Sequence, residues 1–175
     1  MGHSGDQLAQ EGYHVVLPDM YEKQTITAAG GFGTPDGMAW LKTITRTVAQ
    51  EYLDKALAYL ATKGVASGKV GLAGYCWGGW IAMHAAGTGQ FAASVGLHPS
   101  PKLESMLHGG SEEDLASAVK TPLMYLPAGN DADNRAGQLS LLEDLQKALQ
   151  SHPGSAGVAE YACGAVGNIC ANNDD

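Results

Sequence analysis

Apolar positions along the chain recur with two alternating spacings. Short β-branched or apolar runs close on Gly, Pro or Asp, and longer stretches repeat their apolar residues every three to four positions. Ser4 and Gln7 stand at the spacing of a capping box and predict a brief helix that Gly12 ends. Tyr13 to Leu17 (YHVVL), closed by Pro18-Asp19, predicts a strand. A polar, glycine-rich loop is expected from Met20 to Thr34. Arg46 to Lys63 predicts a helix with Val48, Tyr52, Ala56, Tyr59 and Leu60 on one face and Gly64 as its stop. Val70 to Ala73 is a short apolar run that enters Gly74-Tyr75-Cys76-Trp77-Gly78-Gly79, followed by a small-residue helical segment from Trp80 to Ala86. Phe91 to Leu97 is the next expected strand, with His98-Pro99-Ser100 at its exit. Ser111 caps a short helix to Val119 that carries acids in its first turn. A strand from Leu123 to Leu126, a helix from Gln138 to Gln150 and a weak strand from Val158 to Ala162 complete the pattern. Strands alternating with helices predict an α/β fold with a mostly parallel sheet and helices on both faces. In such sheets functional groups collect outside the carboxyl ends of the strands, which here carry Asp19, Cys76, His98 and Asp131.

Composition narrows the class. A length of 175 residues with 45% hydrophobic content fits one globular domain with a core. The formal charge is 10 − 18 = −8 with no basic cluster, which argues against nucleic acid and an anionic membrane as partners. No run approaches the roughly 18 apolar residues of a membrane span. The N-terminal residues have neither a basic nor an apolar signal region, and three cysteines do not make a disulfide framework. A reducing, cytoplasmic location is the expectation.

The chemistry centres on Cys76. Gly74 and Gly78 flank it at the G-x-C-x-G spacing of a nucleophile elbow, a strand-to-helix turn with strained geometry at its centre. Such a turn places the Cys76 sulfur at a helix N-terminus, where the dipole favours a thiolate, and aims the Trp77 backbone N–H at a developing oxyanion. The same spacing also describes a buried structural cysteine in a tight turn. The context of strand before and helix after favours the elbow. No C-x-x-C surrounds Cys76, so a thioredoxin-type redox site is not expected, and Cys163 and Cys170 lack partners for a metal site.

EGYHVVLPDMY (Glu11 to Tyr21), GKVGLAGYCWGG (Gly68 to Gly79), LHPS (97–100) and PAGNDADN (127–134) together resemble the dienelactone hydrolase family, a branch of the α/β-hydrolases. The resemblance covers roughly Gly2 to Tyr161. It implies a partial three-layer α/β-hydrolase domain over residues 1–162, lacking the family's N-terminal strands, followed by an irregular tail over 163–175. It further implies a hydrolase of a small ester or lactone with Cys76 as nucleophile, Asp131 as triad acid, Trp77 as an oxyanion donor and no cofactor. Two departures stand out. The opening loop that bears a glutamate and a second oxyanion donor in the family has no counterpart, and no histidine follows His152, although the triad histidine is expected after the last strand. His98, at a strand end beside the expected elbow, is the candidate substitute base. The alternative reading is a non-catalytic hydrolase-fold protein that binds a small molecule or a partner. A sheet without its opening strands would expose an edge, and an edge-to-edge homodimer is the corresponding expectation.

Overall fold

Capping chemistry near the start of the chain shows how its helices are bounded. A computed structural model describes residues 2–127 of the chain. Helix α1 spans Gly2–Gln10, so Ser4 lies inside it rather than at its start. Its end follows the expectation. The Gly12 N–H donates to the Ala9 carbonyl at 3.0 Å and the Tyr13 N–H to the Leu8 carbonyl at 3.2 Å, a Schellman closure at a φ of 90° that glycine tolerates.

The chain divides into two units at residue 67. In the first, α2 (Pro35–Thr43) starts at Thr34, whose side chain accepts from the Gly37 N–H, with Pro35 in the first turn. No element was expected there, although Thr-Pro-Asp is a helix-start signal. Helix α3 (Arg46–Thr62) is capped by Thr45, which accepts from the Val48 N–H at 3.2 Å, and it closes through Gly64 and Val65 on the Ala61 and Leu60 carbonyls. Its buried stripe is Ala49, Leu53 and Leu60, rotated from the expected Val48, Tyr52, Ala56, Tyr59 and Leu60 face. The tyrosines account for the rotation. The Tyr52 hydroxyl donates to Glu22 Oε1 at 2.6 Å, and the Lys63 ammonium sits over the Tyr59 ring at 5.3 Å, so both polar ends stay at the surface.

The expected strand at Tyr13 to Leu17 is not formed. Residues 13–17 pair with no strand among the described residues, and Tyr13 and Leu17 are each 67% exposed. Their β-branched run supplies propensity, but a strand is completed by a neighbour that takes its N–H and C=O groups. Asp19 builds a turn instead, accepting from the backbone N–H groups of Tyr21 and Lys23.

The second unit is a parallel sheet with its helices. Strand β1 (Gly71–Tyr75) leads into α4 (Trp77–Thr88), which crosses to β2 (Ala93–Leu97); α5 (Leu103–His108) and α6 (Glu112–Ser117) then lead to β3 (Leu123–Leu126). The order is β1-β2-β3. The register aligns Tyr75 with Leu97 and Leu97 with Leu126, so all three strands end in one row. Helix α4 packs on β1 and β2 and against α5 and α6, and it buries Gly79, Trp80, Ile81, Ala82, Met83, Ala85 and Ala86. A helix apolar nearly all round is a central helix, not a surface one. Ser111 caps α6 by accepting from the Asp114 N–H, as expected, and the helix ends at Ser117 rather than Val119. Helix α5 was not foreseen. The expected elements at 138–150 and 158–162, and the tail at 163–175, lie outside the described residues.

Candidate functional site

The aligned strand ends put Cys76 and His98 on neighbouring positions of one rim. The hydrogen-bond ladder runs one residue further at each: the Cys76 N–H donates to the Leu97 carbonyl at 3.0 Å, and the His98 N–H to the Leu126 carbonyl at 2.7 Å. At Cys76 the chain turns at once from β1 into α4, with φ 54° and ψ −113°. That backbone region is rare for a residue with a side chain. The turn is sharp because its neighbours are bare. A Cβ on Gly74 would overlap the Gly78 carbonyl, and one on Gly79 would stand 2.6 Å from the Pro99 Cα. Gly78, the flanking glycine of the sequence motif, faces open space; Gly79 is the one that tertiary packing demands.

The Cys76 thiol is free and exposed. It sits at the N-cap of α4, a helix of 12 residues whose dipole is positive at this end. Trp77 is the first residue of α4, so its N–H lies in the first turn, at the positive end of the helix dipole. The Cys76 carbonyl accepts from the N–H groups of Gly79, Trp80 and Ser100. Cys76 Sγ lies 3.4 Å from Ser100 Oγ.

Ser100 was not foreseen as a partner of Cys76, although it stands two residues beyond the end of β2. His98 turns the chain with φ 48°, Pro99 is buried, and Ser100 arrives beside the cysteine. His98 is exposed on the rim. Asp131 lies outside the described residues. Among the described residues no group of His, Cys, Asp and Glu side chains could hold a metal ion.

Behind the turn is a polar cluster with no sequence signal. Glu104 of α5, 2% exposed, accepts from Trp80 Nε1 at 2.9 Å and has His84 Nε2 at 2.8 Å from the same oxygen. The Trp80 ring stacks on His108 at 4.6 Å and meets His84 edge-on at 4.7 Å. These contacts tie α5 to α4, the helix that carries the turn.

The sequence model of the dienelactone hydrolase family matches residues 2–163. A rat protein named carboxymethylenebutenolidase homolog is 29% identical over 154 residues, covering 86% of this chain and 56% of its own length. A putative carboxymethylenebutenolidase of Synechocystis is 36% identical over 81 residues, 43% of this chain and 32% of that protein. One of Escherichia coli is 24% identical over 165 residues, 89% of this chain and 57% of that protein. The chain thus spans about half the length, or less, of these curated relatives. No solved structure matches it.

Proposed function

The chain belongs to the dienelactone hydrolase family, and on that premise we propose that it is a hydrolase of a small ester or lactone that works through Cys76. The observation that carries this reading is an exposed, free thiol held at φ 54° between a parallel strand and a helix N-terminus. This is the geometry a nucleophile elbow needs, and the relatives' names point to lactone chemistry.

In the proposed reaction the Cys76 thiolate attacks the acyl carbon, and the carbonyl oxygen takes up the electron pair. The Trp77 N–H, at the positive end of α4, stabilises that oxyanion. Collapse expels the alkoxide, which takes a proton, and leaves a thioester on Cys76. Water then cleaves the thioester to release the acid and restore the thiol. Asp131 is the proposed triad acid. With no histidine after His152, the candidate base for the second half is His98. That same gap favours a second reading, in which the chain keeps the fold and binds a small molecule without turnover.

Both readings are separated by rapid mixing with an activated ester such as 4-nitrophenyl acetate. A cysteine acylates without full base assistance, whereas deacylation needs a base worth about 10²–10⁴-fold. A stoichiometric burst that forms acyl-Cys76, followed by slow turnover, is therefore expected, and Cys76→Ser should abolish it. Sustained turnover lost in His98→Ala would assign the base to His98. Absence of any acyl-Cys76 would leave the non-catalytic reading.

A further inference from the structure

We infer that Ser100 is a positioning residue for Cys76, its hydroxyl holding the sulfur in the direction from which it attacks; this rests on the proposed role of Cys76 as nucleophile. The two residues meet twice. The Ser100 N–H donates to the Cys76 carbonyl at 3.2 Å, and Ser100 Oγ stands 3.4 Å from Cys76 Sγ. A thiolate has no proton to give, so in the reactive form the hydroxyl is the donor and the sulfur the acceptor.

The approach of Ser100 is built by the fold. The chain leaves β2 through His98 at φ 48°, a turn that an ordinary loop residue rarely makes. Pro99 is buried with its ring carbons against Gly79 and Gly96, two positions where an added Cβ would crowd the proline. Beyond Ser100, its carbonyl accepts from the Leu103 N–H at 3.1 Å, which fastens the loop to the start of α5. The backbone before the hydroxyl is thus packed on α4, at whose start Cys76 sits, and the backbone after it is fixed to α5. The sulfur itself is exposed and, without a partner, would sample several rotamers around one strained backbone position. One short hydroxyl on a rigid loop selects among them.

The backbone bond of Ser100 survives loss of the hydroxyl, so Ser100→Ala separates the side chain's role from the loop's. In the full chain, Ser100→Ala should slow the single-turnover acylation by 4-nitrophenyl acetate about ten- to a hundredfold, the range for losing one hydrogen bond to a charged group. The dependence of the rate on ester concentration and the urea midpoint should stay unchanged, and Ser100→Thr should restore most of the rate. Acylation of Ser100→Ala at the wild-type rate overturns the proposal. So does a loss that follows a lowered urea midpoint and is not rescued by Thr. Iodoacetamide labelling of Cys76, read by peptide mass, keeps the two readings distinct. If wild type forms no acyl-Cys76, the nucleophile reading fails alone, and slower labelling in Ser100→Ala with rescue in Ser100→Thr still supports the hold on the sulfur. Equal labelling in all three proteins overturns it.

Discussion

At Cys76 a functional side chain and an unfavourable backbone conformation share one residue. A side chain at φ 54° and ψ −113° costs on the order of 1–3 kcal/mol, and the surrounding packing must hold it there. Glycine carries no such penalty. Cys76→Gly is therefore expected to be more stable than Cys76→Ala by about 1 kcal/mol or more, compared by urea denaturation, while both lose the thiol. Equal stabilities would mean that the turn is relaxed in solution. The bare neighbours have a related logic. Gly74 and Gly79 face backbone atoms of the Gly78 carbonyl and Pro99, so the turn and the 98–100 loop are built against each other.

At the scale of elements, a buried carboxylate and a stacked ring pair, Trp80 on His108, fasten α5 to α4. Glu104 accepts from Trp80 Nε1 and lies against His84, at 2% exposure. Glu104→Ala would strand a buried indole N–H and remove the polar part of the link to α5, with an expected loss of about 2–4 kcal/mol; Glu104→Gln should lose less. Chemical denaturation of the two variants checks the order. The neighbouring α6 has the opposite electrostatics. Partial burial raises the Glu112 pKa above its ordinary 4.5, Lys102 pulls it down and Glu113 pushes it further up. A carboxyl raised in the folded state contributes stability that is fully present below its unfolded value and is lost as pH rises through the folded one. Glu112→Gln is thus expected to raise stability at pH 7, and the advantage should vanish below about pH 4.5. Denaturation midpoints of the variant and wild type across pH 4–8 read the difference.

At the scale of the whole molecule, order should follow burial. Helix α4 with β2 and β3 forms the interior of the second unit, with Trp80 and Met83 fully buried and Tyr125 and Leu123 close behind. Residues 13–34 carry exposed Tyr13, Val15, Leu17 and Phe32 and form no strand. Amide hydrogen exchange is expected to be slowest in α4 and β2 and fastest between residues 13 and 34, because local opening is cheap where few apolar groups are buried. Comparable protection in 13–17 and in β2 would show that the YHVVL run is paired in solution. The family assignment accords with the architecture: an α/β unit whose parallel strands deliver Cys76 and His98 to a common rim.

What the amino-acid sequence determined by itself were the features encoded within a few residues. Gly12 and Gly64 end helices because each supplies a positive φ at a C-terminus. Thr34, Thr45 and Ser111 begin them because each hydroxyl reaches an N–H three residues on. The apolar runs at 70–73, 91–97 and 123–126 become parallel strands at nearly those bounds, and the turn at Cys76 was legible from its glycines. Tertiary structure decided what depends on distant partners. YHVVL pairs with no strand among the described residues, since propensity without a neighbouring strand does not make a ladder. The buried stripe of α3 was set by where Tyr52 and Tyr59 place their polar contacts, not by apolar spacing alone. Glu104 in KLESML and Ser100 in LHPS carry no local signal for the roles they take. The carboxylate meets residues 20 and 24 positions away, and the hydroxyl meets a cysteine 24 positions away, distances over which only the folded sheet and its packed helices set the register.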